Sequence, residues 1–304
     1  MDIRAIIMGL AFALMWSSAF TSARIIVAAA PPLTALGLRF LISGAIGIAL
    51  ALMLGQTWRL TRPQWRATIV FGICQNALYL GLNFVAMQTI EASLAAIIAS
   101  TMPLLVGFFS WMFLGERLGR IGIAGLFAGL VGVTIIMGAR LQGGMDLYGV
   151  ALCIIAVFAL AFATLAVRGA ASGGNFLMVV GLQMMVGAVL TGAIGLVTEP
   201  LLVDWSWLLI AAFAYTTLIP GLAATLVWFL LVERIGATRA ATFHFLNPFF
   251  GVAIAAMLLS EALRLGDLIG VLVIMGGILA VQLSRQKRLP RGPIGGQPPN
   301  PRGN

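Results

Sequence analysis

Long apolar stretches make up most of the chain, and short polar or charged turns separate them. A helix needs about 20 mostly apolar residues to cross the hydrocarbon core of a membrane. Turn signals such as Pro31-Pro32, Gly143-Gly144 and Gly173-Gly174 fall between stretches of that length. The pattern predicts ten membrane-spanning helices, near residues 4–27, 32–54, 66–88, 92–113, 120–139, 147–168, 175–197, 207–230, 238–259 and 267–284.

A second pattern is an internal repeat. Pro103 and Pro248 lie 145 residues apart, and the same offset aligns Glu116 with Glu261 without a gap. Each copy then holds five spans, and because five is odd, the second copy crosses the membrane in the opposite sense. We therefore predict an all-α integral membrane protein of two inverted five-helix repeats around a central cavity. The predicted units are residues 1–143, residues 144–284, and a disordered basic cytoplasmic tail at 285–304.

Composition excludes a water-soluble fold. Hydrophobic residues make up 61% of the chain, charged residues make up 9%, and the mean hydropathy is +1.08. A soluble domain carries about 25% charged residues. Cys74 and Cys153 both fall in apolar stretches and are interpreted as small packing residues. With a single histidine, the chain predicts no metal site and no cofactor.

The basic residues predict the orientation in the membrane. With ten spans and the N-terminus inside, the outer loops hold only Arg140 and Arg264 among the basic loop residues. This asymmetry predicts a multi-pass protein of the bacterial inner (plasma) membrane with both termini in the cytoplasm. The net charge of +9 then reflects topology. A nucleic-acid partner is not expected, because the arginines cluster on no soluble module. The expected partners are membrane lipid and a small-molecule solute.

Polar and aromatic residues gather near the middle of several spans. Trp16 lies at the centre of the first span, although Trp in membrane proteins is enriched at the two interfaces. Asn76, Tyr79 and Asn83 form one stripe on the third span, since they are spaced at i, i+3 and i+7. Such a stripe either lines a cavity or makes hydrogen bonds between helices, and the pattern leaves both interpretations open.

Three prolines interrupt predicted spans. Pro103 and Pro248 match across the repeat, and Pro220 lies in the eighth span. A proline removes a backbone donor and kinks the helix. Such a break is tolerated at membrane depth where it faces protein or water. We interpret the three prolines as hinge candidates beside the site, and a static kink satisfied by a Ser or Thr side chain is the alternative.

Few ionisable groups are predicted at mid-membrane. Arg39 lies deep in the second span, where it either binds a substrate carboxylate or reaches a carbonyl or the interface. His244 is either a substrate contact or proton carrier, or a buried structural donor. All nine carboxylates fall at span ends or in loops, and Glu116 and Glu261 are interpreted as capping residues. Without an acid at mid-depth, facilitated exchange or uniport is at least as well supported as coupling to protons or sodium.

Glycine is dense in the fifth and tenth spans. Gly125-x-x-x-Gly129 and Gly266-x-x-x-Gly270 are close-packing motifs of membrane helices. These spans carry few polar groups and are predicted to be peripheral. They pack either on their own bundle or on a second subunit, so the sequence leaves a monomer and a homodimer through the fifth and tenth helices open.

The sequence does not indicate an enzyme. It contains no His-Glu-x-x-His and no Gly-x-Ser-x-Gly motif, which membrane-embedded hydrolases of those classes would need. A channel fits ten spans, but inverted repeats with paired prolines fit alternating access better.

Several of these features resemble the EamA-type drug/metabolite transporters. The resemblance rests on Trp16-Ser17-Ser18-Ala19-Phe20, on the paired segments Ala92 to Pro103 and Ala237 to Pro248, and on Leu114-Gly115-Glu116 with Leu259-Ser260-Glu261. Within that superfamily the chain is most similar to bacterial exporters of aromatic amino acids of the YddG type.

The resemblance implies export through a central cavity lined by the first, third, fourth, sixth, eighth and ninth spans. It implies a secondary transporter that exports amino acids or related small amphiphilic metabolites by alternating access. Exporters of other metabolites, drugs or nucleosides, and a channel, are the alternatives. On the cavity-lining spans the candidate substrate-binding residues are Trp16, Tyr79, Asn83, Ser100, Phe162, Trp228, His244 and Asn247.

Overall fold

The chain forms a bundle of helices in a computed structural model that describes residues 2–113, 115, 119–141, 146–166, 174–236 and 240–286. Within those ranges there is no strand, and ten helices are long and apolar enough to cross a membrane. The prediction of an all-α protein with ten spans is confirmed. The predicted repeat junction at 143 and 144, Glu116, and the tail at 287–304 lie outside the described residues.

We number the spans α1 to α10 in chain order. Their bounds are Ile3–Ala29 (α1), Pro32–Met53 (α2), Arg62–Ala86 (α3), Ala92–Phe113 (α4), Arg120–Gly138 (α5), Leu147–Ala166 (α6), Phe176–Thr198 (α7), Trp207–Val232 (α8), Ala241–Leu259 (α9) and Leu265–Ser284 (α10). Each predicted bound lies within four residues of the bound in the structure.

Local sequence signals start several of these helices. Asp2 precedes α1, and its side chain accepts a hydrogen bond from Ala5 N–H at 2.9 Å. Ser206 precedes α8 and accepts one from Leu209 N–H at 3.1 Å. Pro32 is the first residue of α2, where a missing N–H costs nothing. These caps satisfy donors that the first turn of a helix leaves without a partner.

Two spans contain π-helical stretches at matching positions of the repeat. In α3 the stretch is Gly72–Leu80, and in α8 it is Ile219–Ala223. Moved back by the 145-residue offset, the second stretch falls within the first. π-Helical turns inside α-helices occur frequently at functional sites.

The matched prolines also lie at matching breaks. Span α4 consists of Ala92–Ser100 and Met102–Phe113, and Pro103 lies at the start of the second piece. Span α9 changes from a 3₁₀-helix to an α-helix at Asn247, one residue before Pro248. All three hinge candidates therefore lie at irregular points of their helices, since Pro220 lies in the π-helical stretch of α8. Motion at these points remains a prediction.

Glycine brings the backbones of α2 and α7 together. A Cβ atom built on Gly37 would lie 2.8 Å from Gly192 Cα, and one on Gly44 would lie 3.0 Å from the Gly181 carbonyl oxygen. Residue numbers rise along α2 from Gly37 to Gly44, while those of the facing residues on α7 fall from Gly192 to Gly181, so the two helices are antiparallel.

The same arrangement joins α5 and α10. A Cβ on Gly125 would lie 2.7 Å from the Gly277 carbonyl oxygen, and a Cβ on Gly277 would lie 2.6 Å from that of Gly125. Gly132 and Gly270 show the same reciprocal approach, at 2.8 Å in each direction. The predicted close packing of the fifth and tenth spans therefore occurs within the chain. We call the α2–α7 and α5–α10 contacts the glycine interfaces.

Span α4 passes through the centre of the bundle. All nine residues of Ala92–Ser100 are buried. A Cβ on Gly251 of α9 would lie 2.5 Å from Ala96 Cβ, so the α9 backbone packs directly on the Ala96 side chain. Small residues permit this packing, as is typical of membrane helices.

Candidate functional site

The bundle has two ends, which we name by the contacts found there. At one end, which we call the terminal face, Asp2 contacts Arg234 and Ala241 contacts Gln282. At the other end, which we call the distal face, Arg24 contacts Gln88 and Glu261 contacts Ala92. Span α1 runs from the terminal to the distal face and carries much of the candidate site.

Four rings from three spans meet in the terminal half of the bundle. The Phe12 ring centroid lies 5.6 Å from that of Trp16, 4.7 Å from Trp228 and 5.2 Å from His244. The Trp228 and His244 centroids are 5.1 Å apart. These separations are typical of favourable tilted and edge-on ring contacts. We call this group the aromatic cluster, and three of its four members were predicted from the sequence as site residues.

Asn247 lies beside the aromatic cluster. Its Nδ2 is 3.0 Å from His244 Nδ1, and Ser17 Oγ donates a hydrogen bond to its backbone carbonyl at 3.3 Å. Its Oδ1 is buried and has no hydrogen-bond partner among the described residues. A buried acceptor without a partner costs about 1–3 kcal/mol. Asn247 Oδ1 is therefore suited to accept a hydrogen bond from a ligand N–H or ammonium group.

A row of small polar residues continues along α1 from the cluster toward the distal face. Ser18 Oγ lies 2.8 Å from Tyr215 Oη on α8. Thr21 Oγ1 is buried and lacks a partner within the described part of the chain. Ser17, Ser18 and Thr21 lie on one side of the helix, because positions separated by three or four residues share a face. The row provides polar contacts between the cluster and the distal face.

A pocket of about 400 Å³ lies at the distal face, where α1, α4, α8 and α9 end or begin. This volume falls within the roughly 300–1,000 Å³ of typical small-molecule sites. We call it the distal pocket. Its lining residues are Arg24, Ile25, Ala28, Ala29, Glu91, Ser206, Leu208, Leu209, Leu259 and Glu261.

Two charged side chains of the distal pocket are held by helix ends. Arg24 Nη1 donates to the carbonyls of Met87 and, at 3.0 Å, of Gln88, where α3 ends. Glu261 accepts hydrogen bonds from the backbone N–H groups of Ala92 at 2.7 Å and Ser93 at 3.0 Å. The prediction that Glu261 is a capping residue is confirmed, and the helix that it caps is α4, which belongs to the other predicted repeat.

The same spans are closed at the terminal face. A Cβ on Gly9 would lie 2.3 Å from the Phe243 ring, so the α1 backbone packs directly on that ring. Ala5, Leu231 and Ala240 are fully buried in the same cluster. These contacts pack α1, α8 and α9 against one another at this level.

An ion pair joins α1 and α8 at the edge of the terminal face. Arg234 donates two hydrogen bonds to Asp2 Oδ2, from Nε at 2.9 Å and from Nη2. The hydrogen bonds from Arg234, followed by that from Ala5 N–H, lower the pKa of Asp2 from 3.8 to about 2. The aspartate therefore stays charged at any physiological pH.

Arg39 is buried between α2 and α8, with only 5% of its surface exposed. Its Nε donates to the Thr216 carbonyl at 3.2 Å, and Ser43 Oγ donates to the Thr217 carbonyl at 3.2 Å. Pro220 has no N–H to offer to Thr216 one turn earlier. The structure thus places Arg39 at the Pro220 break with a backbone carbonyl as its partner. Contact with a substrate carboxylate stays a prediction.

The stripe on α3 bonds to neighbouring helices. Asn76 Nδ2 donates to the Gln183 carbonyl on α7 at 2.8 Å. Asn83 Nδ2 donates to the Tyr79 carbonyl at 2.7 Å, and Cys153 Sγ on α6 donates to Asn83 Oδ1 at 3.3 Å. Tyr79 and Asn83 are both buried. These bonds match the alternative of hydrogen bonding between helices, and no contact joins the stripe to the aromatic cluster among the interactions of the described residues.

Two further predicted residues make no contact with the cluster among the interactions of the described residues. Ser100 Oγ donates to the Ile97 carbonyl of its own helix at 2.6 Å. Phe162 on α6 is 60% exposed. The structure therefore brings together four of the eight predicted binding residues, namely Trp16, Trp228, His244 and Asn247.

Sequence reasoning missed three residues of the path. Phe12 is an ordinary apolar residue of α1, and only its position one turn before Trp16 could have indicated it. Tyr215, which lies opposite Ser18, and Arg24, which lines the distal pocket, are not among the residues that the sequence indicated. Their roles depend on which helices are neighbours, which a repeat pattern does not specify.

A bundle of ten apolar helices with polar side chains buried between them is typical of membrane transporters. The chain belongs to the EamA-like transporter family, whose model matches residues 3–138 and residues 147–283. These two matched stretches correspond to the two predicted repeats.

Similar proteins are named as transporters or exporters. The chain is 29% identical to the uncharacterized transporter YvbV of Bacillus subtilis over 269 residues, covering 88% of each chain. It is 28% identical to the uncharacterized inner membrane transporter YedA of Escherichia coli over 289 residues, covering 91% of this chain and 90% of that one. It is 34% identical to the aromatic amino acid exporter YddG of Ancylobacter novellus over 139 residues, 46% of this chain and 48% of that one.

The fold is also that of a solved crystal structure. That structure superposes with a TM-score of 0.70 at 24% sequence identity, and the match covers 95% of this chain and all of the other. The family, the relatives and the ten spans together make this chain a multi-pass membrane transporter.

Proposed function

We propose that the protein exports amino acids or related small amphiphilic metabolites across the bacterial inner membrane by alternating access. The observation that carries the proposal is a path along α1, which consists of the aromatic cluster, the polar row of Ser17, Ser18 and Thr21, and the distal pocket. The aromatic cluster and the unpaired Asn247 Oδ1 lie between a closed terminal face and a pocket at the distal face. A solute held at the cluster would be sealed from one side of the membrane and directed to the other.

The direction of transport rests on the predicted orientation. Arg59, Arg62 and Arg66 follow α2 on the side predicted to be cytoplasmic, as does Arg234. The terminal face is then the cytoplasmic face. With that orientation the structure corresponds to the state that releases an exported solute to the outside.

The helix breaks support alternating access. Matching π-helical stretches and matching proline breaks give each predicted repeat the same irregular points. The reciprocal contacts of the α5–α10 interface fit a two-fold relation between antiparallel helices. In an inverted repeat, exchange of conformation between the halves closes one face and opens the other. The distal pocket would then close as α1, α8 and α9 separate at the terminal face.

The chemistry of the cluster suits an amphiphilic solute. Ring faces of Trp16 and Trp228 offer contacts to an apolar or aromatic side chain, and Asn247 Oδ1 offers an acceptor to an ammonium group. The name of the YddG relative agrees with this substrate class, although that similarity spans under half of the chain.

The positions of the carboxylates support facilitated exchange. Asp2, Asp146, Glu199 and Glu261 each accept hydrogen bonds from the first backbone N–H groups of a helix. A proton-driven transporter typically uses an acid in mid-membrane. The acids that cap helix ends are poorly placed for that role.

Counterflow in proteoliposomes tests the proposal. Vesicles loaded with individual amino acids would take up the labelled compound with and without an imposed pH gradient. We expect saturable exchange of aromatic and other apolar amino acids that is insensitive to the gradient. Exchange that depends on the gradient would contradict the facilitated mechanism. If no amino acid exchanges and nucleosides or cationic drugs do, the proposed substrate class is wrong.

A further inference from the structure

We propose that the distal pocket is a second binding site, specific for zwitterions, which holds the solute between the aromatic cluster and the outside. The inference rests on the proposed export function and extends it by assigning the substrate class. Arg24 would bind the carboxylate of the solute, and Glu261, with Glu91 beside it, would bind the ammonium group. These residues line one pocket together with an apolar wall.

Arg24 is positioned as a carboxylate ligand. Its two hydrogen bonds, to the Met87 and Gln88 carbonyls, both come from Nη1. A guanidinium has five N–H donors in a planar fork, and a carboxylate binds such a fork through two parallel hydrogen bonds. The bonds from Nη1 fix the direction of the side chain and leave the Nε and Nη2 donors for an incoming carboxylate.

Glu261 is positioned as an ammonium ligand. Each of its two carboxylate oxygens accepts one backbone N–H, from Ala92 or from Ser93. An ionised carboxylate has about four lone-pair sites, so each oxygen can accept a further hydrogen bond. Glu91 lies directly before Ala92 and lines the same pocket. The ammonium side of the pocket therefore carries two carboxylates near the start of α4, and hydrogen bonds to Ala92 and Ser93 hold that of Glu261 in place.

The wall between the charged groups is apolar. Ile25, Leu208, Leu209 and Leu259 line the pocket together with two alanines of α1. A volume of about 400 Å³ falls within the range of small-molecule sites and suits a ligand of amino-acid size. Opposite charges at fixed positions with an apolar surface between them match a zwitterion that carries an apolar side chain. A cation or an anion alone would contact only one of the two kinds of charged group in the pocket.

The row of polar residues on α1 links this site to the aromatic cluster. Ser18 and Thr21 lie between Trp16 and Arg24 along the helix, and Thr21 Oγ1 is buried without a partner in the described structure. A solute leaving the cluster would meet these hydroxyl groups before it meets Arg24. The two sites would then hold the same solute at successive stages of release.

Protection of a cysteine in the pocket tests the inference. Ala28 lines the pocket and is exposed. A chain with Ala28→Cys, in which Cys74 and Cys153 are replaced by Ala, is reconstituted and modified with a membrane-impermeant maleimide. Phenylalanine, phenethylamine and 3-phenylpropanoate are compared as protecting ligands, because they share the phenyl group and differ only in charge. We expect phenylalanine to protect at a concentration about tenfold or more below the other two.

Matched variants separate ligand binding from helix capping. Arg24→Gln should raise the phenylalanine concentration for half-protection about tenfold, while Arg24→Lys should have a smaller effect. Glu261→Gln should weaken protection by phenylalanine and phenethylamine but not by 3-phenylpropanoate. Glu199→Gln is the control, because Glu199 also accepts backbone N–H groups at a helix start, those of Leu33 and Thr34, and does not line the pocket.

The outcomes distinguish this inference from the proposed function. Equal protection by all three ligands, or equal effects of Glu261→Gln and Glu199→Gln, would overturn the zwitterion site. If the same vesicles show amino-acid counterflow, the export function stands even when the pocket site fails. If protection by phenylalanine is selective and counterflow is absent, the pocket site stands and the export function fails.

Discussion

The glycine interfaces and the path along α1 are built by opposite means. At the α5–α10 interface, backbone atoms approach so closely that a Cβ on Gly277 would lie 2.6 Å from the Gly125 carbonyl oxygen. Along the path, α1, α8 and α9 meet through rings, hydroxyl groups and an amide, and two polar atoms are left without a partner among the described residues. One region has no room for an added side-chain atom, whereas the other has two buried polar atoms that a bound ligand would satisfy.

We expect this difference to separate the part of the molecule that determines stability from the part that carries transport. Tightly packed interfaces resist small displacements because contact energy is lost within a fraction of an ångström. Helix breaks at Pro103, Pro220 and Pro248 lie in α4, α8 and α9. We therefore expect substitutions at the interfaces to lower stability, and substitutions on the path to lower transport while the protein stays folded.

The largest effect is expected at the aromatic cluster. Trp16→Ala and Trp228→Ala should each lower counterflow about tenfold or more, because a buried aromatic contact at the centre of a binding site is worth about 2 kcal/mol or more. Trp207→Ala is the control, since Trp207 is 85% exposed. Gel filtration in detergent checks that each variant remains folded. Normal counterflow in both cluster variants would move the binding site away from α1 and α8.

A large effect on stability is expected at the α5–α10 interface. Gly277→Ala should destabilise the protein by about 1–3 kcal/mol, because the added methyl group meets a backbone oxygen that has no room to move. The neighbouring substitution Gly276→Ala meets no atom within 4 Å and should be neutral or slightly stabilising. Thermal unfolding in detergent measures both. Equal unfolding midpoints for the two variants would mean that the α5–α10 interface accommodates an added methyl group without loss of stability.

Arg39 lies where the two regions meet, and its replacement tests which region it serves. Arg39→Met removes the donor to the Thr216 carbonyl and should cost about 1–3 kcal/mol of stability. The concentration of substrate for half-maximal counterflow should stay unchanged. If that concentration rises for phenylalanine and not for phenethylamine, Arg39 binds a substrate carboxylate and belongs to the path.

The smallest effect is expected at the Asp2–Arg234 ion pair, because both side chains are largely exposed. Since the pKa of Asp2 is lowered from 3.8 to about 2, its stabilising contribution is complete above pH 4 and is lost as the pH falls through 2. Asp2→Asn should remove this part of the pH dependence of thermal unfolding. The double variant Asp2→Arg with Arg234→Asp should restore the pair, and its failure to do so would show that Asp2 acts only as the cap of α1.

The sequence predicted the spans better than it predicted the site. Apolar length alone specifies a membrane helix, so both ends of all ten spans were predicted to within four residues. The matched prolines and the glycine motifs also identified real breaks and real contacts. A stripe such as Asn76, Tyr79 and Asn83 reveals that one face of α3 is polar. It does not reveal that α6 and α7 lie against that face, and those neighbours supply the partners of Asn76 and Asn83.

The aromatic cluster shows the same limit of prediction from sequence. Residue type at membrane depth singled out Trp16, His244 and Asn247, and the family resemblance added Trp228. Phe12 and Tyr215 are not unusual there, and only the packing of α1 against α8 gives them a role. Helix neighbours depend on contacts between residues far apart in the chain, which periodicity does not encode.

The reciprocal contacts between α5 and α10 bear on the evolutionary origin of the fold. Gly125 meets Gly277 and Gly132 meets Gly270, while the predicted repeat makes Gly125 equivalent to Gly270 and Gly132 equivalent to Gly277. In a homodimer such a pattern is an isologous interface, in which the same surface patch serves both subunits. The interface is what two copies of a five-helix protein would form if they were inserted in opposite orientations. Gene duplication and fusion would then have converted a contact between molecules into a contact within one.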